Sequence, residues 1–321
     1  GGSLRHAGCA GIPPGVRTFA PIHGASYGIL LRIASAGCFS LMAAMMKFAT
    51  TFDPVTAPEM VFYRALFGLP VVLVWVMSAP AGLSALKTRR PMVHLWRCAL
   101  GVTGILLIFQ ALRMLPLADA TTIGFTAPIF ATLLSVVVLK EAVGPRRWAA
   151  VVLGFIGVVV MVQPGAGGGA PMAGLLIGLA GAFMAASVTV TLRQLGKTET
   201  TASIVFWFFV ACAVVGGGLM VFTAEWRTWP AYAALAAGGV AGGAAQLFMT
   251  NSLRHAPVGV VAPFDYLQIV GAVVFGWWLM HASPTASTLI GAALIAASGL
   301  YTAWREQVRR RETTPATPPP I

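Results

Sequence analysis

Charge is what this chain has least of. Only 9% of its 321 residues are charged, nine of them acidic, while 58% are hydrophobic. Soluble domains carry about a quarter charged residues, so the polar surface that water would demand is missing. Histidine and cysteine are also sparse. His6, His23, His94, His255 and His281 stand near the ends of apolar runs without metal-ligand spacing, and Cys9, Cys38, Cys98 and Cys212 are far apart. Neither set suggests a metal centre or a disulfide framework. The cysteines read as small buried apolar residues. No nucleophile elbow or pair of catalytic carboxylates occurs, which speaks against an enzyme, and no cofactor is implied. The glycine run Gly165-Ala166-Gly167-Gly168-Gly169 lacks the Lys-Ser/Thr of a phosphate-binding loop. It reads as a flexible linker, and an ATP-driven pump is excluded within this chain.

What the chain does have is long apolar runs. Ten are predicted, near 26–48, 58–79, 92–112, 117–139, 147–163, 172–192, 202–223, 231–251, 258–280 and 285–304. About 20 apolar residues cross a bilayer as a helix, and lipid leaves helices as the way to satisfy the backbone of such runs. The expected class is therefore all-α, an integral membrane protein of ten transmembrane helices. The net charge of +12 is no nucleic-acid signal, because no basic face is interleaved with aromatics. Most Lys and Arg fall on one set of connections and on both termini. Lys47, Arg113 and Arg227 fall on the other set, and Arg32 and Arg64 lie inside spans. The positive-inside bias places both termini in the cytoplasm, in a multi-pass protein of the cell inner membrane. Gly1-Gly2-Ser3 reads as a tag scar within a cytoplasmic segment 1–25. Residues 305–321 read as a cytoplasmic, disordered tail.

Leu112-Arg113-x-x-Pro116 returns 141 positions later as Leu253-Arg254-x-x-Pro257. Gly101, Leu106 and Leu153 recur at that offset as Gly242, Leu247 and Leu294. Five spans separate the copies, and an odd number inverts the second relative to the first. The halves 26–163 and 172–304 are thus expected to be two inverted five-helix repeats, with a solute site near the bilayer midplane between them. Glycines at 174 and 178, with Ala182, and the clusters at 216–218, 238, 239, 242 and 243 mark faces where helices can approach closely.

Polar residues inside spans are costly and mark candidate sites. Asp265 and Gln268 share a face of span nine beside Tyr266, after Pro263, which loosens the local ladder. The carboxylate suits a solute ammonium, a proton, or a structural bond between helices. Thr122, Phe125 and Thr126 share a face of span four, with a kink or gate expected at Pro128. Phe125 is the repeat counterpart of Tyr266, so the two rings are expected to face each other across the cavity. Gln246, Thr250 and Asn251 form a polar strip in span eight, and Gln110 is the counterpart of Asn251. These amides serve either solute binding or helix contacts. Phe39, Met42 and Trp207 are weaker lining candidates. Arg64 requires a partner, with Asp265 or Glu59 in view. Arg32 and Lys47 lie nearer span ends and are expected to reach water.

Several stretches resemble the EamA type of the drug/metabolite transporter superfamily. They are Phe62-Tyr63-Arg64, Leu115-Pro116-Leu117-Ala118-Asp119-Ala120, Thr126-Ala127-Pro128-Ile129-Phe130, and Leu139-Lys140-Glu141 followed by Arg146-Arg147-Trp148 and Gly154–Gly157. The second half departs from the pattern at Ala282 and Ser298, which stand where the first has Glu141 and Gly157. The resemblance implies ten helices, a central cavity and alternating access. It is similar in particular to broad-specificity aromatic amino acid exporters, which implies export of amino acids and related metabolites. Related carriers take up riboflavin or S-adenosylmethionine, and that alternative stays open. A membrane scaffold or receptor without transport is the alternative of another class. The expected partners are a small-molecule substrate and the lipid bilayer, with monomer or homodimer both open.

Overall fold

Prolines punctuate the apolar runs and set where helices stop. In the computed structural model α1 spans Ile22–Phe52 and ends just before Asp53-Pro54, because the residue ahead of a proline disfavours helical backbone. α2 follows over Ala57–Ser78, then a short 3-10 turn at Gly82–Leu86 and α3 over Pro91–Met114. Leu115 is extended ahead of Pro116 and closes α3. The later helices are α4 Leu117–Gly124, α5 Ala127–Leu139, α6 Pro145–Val162, α7 Met172–Leu195, α8 Thr201–Met220, α9 Trp229–His255, α10 Val258–Val261, α11 Leu267–Met280 and α12 Ala286–Thr313. Residues 22–78, 82–88, 90–139, 144–162, 171–195, 200–223, 225–256 and 258–313 are described. The segment before Ile22, Lys140, Glu141, the 165–169 glycine run, Pro257 and the tail beyond Thr313 lie outside them.

Among the described residues, eight helical segments are long and apolar enough to cross a membrane, counting α4 with α5 as one, and α6 supplies a shorter apolar stretch, Trp148–Met161. The remaining crossing is α10 and α11, joined by a 3-10 turn over Ala262–Tyr266. The ten expected spans are therefore present. Two differ from the continuous helices expected. Span four breaks at Phe125–Thr126 and span nine at 262–266, at equivalent places in the two repeats. Pro128 and Pro263 explain both breaks, since each removes a backbone donor from the ladder. The tail also differs, because α12 carries helix through residues 305–313.

The inversion is visible along α1. Lys47 Nζ donates to the Arg113 carbonyl at 3.1 Å, while the Tyr27 ring meets the His255 ring edge-on at 4.9 Å. Twenty helical residues separate Lys47 from Tyr27, about 30 Å, close to the hydrocarbon thickness. The two Leu-Arg copies therefore lie at opposite ends of one helix. Packing follows the same pseudo-symmetry. α1 lies along α9 as α7 lies along α3, while α2 with α8 and α6 with α12 pair across the axis. One pair is unequal, because α2 packs far more fully on α9 than α8 does on α3. A side chain at Gly239 would meet the Tyr63 carbonyl at 2.7 Å, and one at Gly243 the Gly68 carbonyl at 2.9 Å. On the other seam Gly101 faces the Phe208 ring instead of backbone. A ring stands between α3 and α8 where main chain touches main chain between α2 and α9. Gly218, by contrast, faces open space.

Polar ties hold both ends. At one, Glu59 accepts from Arg227 Nε at 2.9 Å and Nη2 at 3.1 Å, and Asp53 accepts from the Thr228 N–H at 2.9 Å. At the other, Thr200 donates to the Ala85 carbonyl at 2.6 Å, and Ser203 and Trp207 donate to that of Leu86. Trp226, Trp229 and Phe222 are exposed around the first tie, as aromatic residues are where a bilayer meets water.

Candidate functional site

The two helix breaks meet near the centre of the bundle. Phe125 caps α4 and Tyr266 ends the turn before α11, and their ring centroids are 4.9 Å apart with planes at 35°. Gly299 of α12 leaves room for the Tyr266 hydroxyl, which is buried without a hydrogen-bond partner among the described residues. Thr122 Oγ1, fully buried on α4, also lacks one. Thr126 Oγ1 instead donates to the Ile123 carbonyl at 2.7 Å and helps shape the break.

Asp265 is held by Arg32 of α1 in an ion pair. This corrects two expectations. Arg32 does not reach out to water but is 7% exposed, and Asp265 is not the partner of Arg64. Among the described residues Arg32 Nε and Nη1 have no partner, so Asp265 is the acceptor that compensates its charge. Ser40 of α1 adds a bond to the Gln268 carbonyl at 3.3 Å. The half-buried side chains of Gln246 and Gln268 make no hydrogen bond among the described residues. An ion pair, two tilted rings and several unmatched donors can hold a solute with an apolar body and a charged or hydrogen-bonding head.

Other candidates lie elsewhere. Trp207 is 39% exposed and donates to Leu86 at one end of the bundle, away from the breaks. Gln110 accepts from Arg113 at 3.0 Å at the far end of α3, and the Asn251 carbonyl accepts from His255 at the opposite end of α9. Both belong to helix ends. Thr250 donates within its own helix to the Gln246 carbonyl. Phe39 packs on the core, and Met42 Sδ rests 3.3 Å from Arg64 Nε. Pro128 and Pro263 sit at the breaks, as their residue type suggested. Lys47, half-buried, donates to the main chain at the end of α3.

Arg64 meets neither expected carboxylate, because Glu59 is taken by Arg227 and Asp265 by Arg32. Its guanidinium lies 4.9 Å from the centroid of Phe209. Two buried charged residues were not singled out as candidates from the sequence. Arg97, counted with the connection before α3, is 6% exposed, and Asp119 is buried and accepts from Thr288 at 2.7 Å. The clue for Arg97 was available: it lies a full turn and more inside its span, one turn before Gly101. A small cavity of about 50 Å³ near Asp119, Thr285 and Thr288 opens at the end of α11, not at the breaks.

The profile of the EamA-like transporter family matches residues 26–163 and 172–303. Over 274 residues the chain is 31% identical to the pseudopaline exporter CntI of Pseudomonas aeruginosa, covering 84% of this chain and 93% of that protein. It is 31% identical over 296 residues to the riboflavin transporter of Rhizobium johnstonii, covering 90% and 94%. It is 29% identical over 251 residues to the S-adenosylmethionine uptake transporter of Rickettsia conorii, covering 78% and 83%. A solved crystal structure superposes with a TM-score of 0.63 over 90% of this chain and 99% of its own, at 20% identity, a likeness of fold. Ten crossings in two inverted repeats, matched repeat by repeat, identify a multi-pass membrane transporter and not an enzyme: the chain belongs to the EamA-like transporter family.

Proposed function

We propose that this transporter is a secondary carrier of the inner membrane, with both termini cytoplasmic, that moves amino acids and related small metabolites by alternating access. The observation that carries this reading is the Phe125–Tyr266 contact where the two repeats break, beside the Arg32–Asp265 pair. Broken helices at the interface of inverted repeats hold the solute in carriers of this architecture. The rings offer apolar contact to a side chain, while the Arg32–Asp265 pair offers both signs of charge to a zwitterion's head. Polar ties at both ends of the bundle and a glycine-lined seam between α2 and α9 supply the parts that rocking requires. The charge bias of the connections supports the orientation.

Export is the direction we favour, in line with the name of the Pseudomonas relative. Uptake is the second reading, because the Rickettsia relative is named an uptake transporter and matches over most of this chain. Proteoliposomes loaded with labelled phenylalanine, leucine, riboflavin or S-adenosylmethionine test which solute is moved. Phenylalanine efflux that depends on Asp265 is expected. Flux of riboflavin alone would replace the amino acid reading, and no flux of any solute would remove the carrier reading.

A further inference from the structure

Among the described residues, two cations lie inside the bilayer without a carboxylate beside them. Arg64 on α2 is 3% exposed and Arg97 on α3 is 6% exposed. Among the described residues of the crossings, Glu59, Asp119 and Asp265 are the carboxylates, and each is held elsewhere by Arg227, Thr288 or Arg32. Arg64 Nη1 and Arg97 Nε and Nη1 have no hydrogen-bond partner among the described residues. What surrounds them is soft and aromatic. Arg64 Nε touches Met42 Sδ at 3.3 Å, and its guanidinium lies 5.7 Å from the centroid of Phe208. The Arg97 guanidinium lies 4.3 Å from the centroid of the same ring. Cation–π contact replaces a fraction of the hydration each group has lost.

Helix packing alone gives no reason for this arrangement. Two like charges repel, and each loses hydration in lipid, so Met or Leu at either position would pack at less cost. A guanidinium kept in such a place is complementary to something that arrives. Its flat fork of donors matches a carboxylate two bonds at a time. Phe208 stands on the looser of the two equivalent seams, between α3 and α8, where movement of one ring would bare both groups.

We propose that Arg64 and Arg97 form an anion-binding element of the transport path, with Phe208 as the movable partition between them, and that the transported solute carries carboxylate groups which the two arginines take. Both guanidiniums lie within 5.7 Å of the centroid of one ring, inside the reach of a single small dicarboxylate. The proposal deepens the carrier reading and rests on it, since it names the chemical class of the cargo. Arg32–Asp265 and the paired rings then meet the rest of the solute.

The test uses the full-length protein purified in detergent at constant ionic strength, titrated with glutarate and with glutaramide, 1,5-diaminopentane and inorganic phosphate. Glutarate is expected to bind and raise the melting midpoint, and glutaramide and 1,5-diaminopentane are not. Arg97→Gln and Arg64→Gln should each weaken glutarate roughly 10–100-fold, while the midpoint without ligand holds or rises. Arg97→Lys should recover part of the affinity. If Arg64→Gln fails to fold, the Arg97 pair of variants carries the test. Equal binding of glutaramide, full affinity in Arg97→Gln, or phosphate binding without glutarate binding overturns the proposal. Flux in proteoliposomes separates the two claims. Glutarate binding without transport of any solute would sink the carrier reading and leave the anion site. Leucine flux unchanged by Arg97→Gln, with no glutarate binding, would do the reverse.

Discussion

Replacing Asp265 with Asn probes the centre of the bundle most directly. Asp265 is the hydrogen-bond acceptor of Arg32 Nη2, while Nε and Nη1 of the same guanidinium have none among the described residues. The substitution removes the compensating charge and leaves a cation whose side chain is 9% exposed. Breaking a fully buried pair costs about 3–5 kcal/mol. The Asp265 side chain remains 26% exposed, so water can reach the Arg32 end in part, and about 2 kcal/mol is the reasonable figure here. At roughly 2–4 °C per kcal/mol for a chain of this order of size, the melting midpoint in detergent should fall by about 4–8 °C. Arg32→Met in the same protein should restore most of the loss, because the stranded cation goes with it. Phenylalanine flux should drop in the Asn variant and not return in the double variant, since stability and solute contact separate at that step. An unchanged midpoint in Asp265→Asn, or a double variant as unstable as the two losses added, would refute the pairing argument.

The remaining predictions concern the ties, the rings and one seam. Glu59→Gln should cost about 3 kcal/mol, read as a lower thermal midpoint, because Glu59 accepts both Arg227 bonds and two more from Thr56. The hydrogen bonds from Thr228 hold the Asp53 carboxyl below its ordinary pKa. The tie therefore contributes fully above the unfolded value of about 4 and is lost as pH falls through the lower folded value. Thr228→Val should lower the midpoint at neutral pH, and the difference should shrink as the pH is taken below about 4. Phe125→Ala and Tyr266→Ala should weaken aromatic solutes more than small ones in competition flux assays, and equal effects would mean that the rings only pack. Gly239→Val should destabilise by about 1–3 kcal/mol by pushing on the Tyr63 carbonyl, whereas Gly218→Ala, which faces open space, should leave the midpoint unchanged.

Hydropathy made the crossings and the repeat legible, because each span must hide its own backbone and so announces itself locally. The breaks were half legible. Pro128 and Pro263 marked the right turns, but whether a proline kinks a membrane helix or interrupts it depends on what neighbouring helices can satisfy. Asp265 stood out as an acid within lipid. Its partner did not, since Arg32 lies 233 residues away and no periodicity encodes which of several arginines arrives. Arg64 was assigned to carboxylates already engaged, for the same reason. Arg97 shows the limit of counting charges by position, because the Phe208 ring of α8, not distance along the chain, decides that it is covered. The polar residues after Trp304 looked unstructured because so few of them are apolar, yet a helix already nucleated in the membrane extends cheaply.

The two ends of the bundle are fastened by different chemistry. One clasp is a bidentate arginine–glutamate pair braced by a threonine, and its mirror image is made of hydroxyl and indole groups on main-chain oxygens. A machine whose halves are otherwise copies thus has unequal doors. Charged bonds hold roughly twice as strongly as neutral ones, so the Leu86 door should swing first and the carrier should wait unladen with that mouth ajar, leaving cargo to tip the balance the other way.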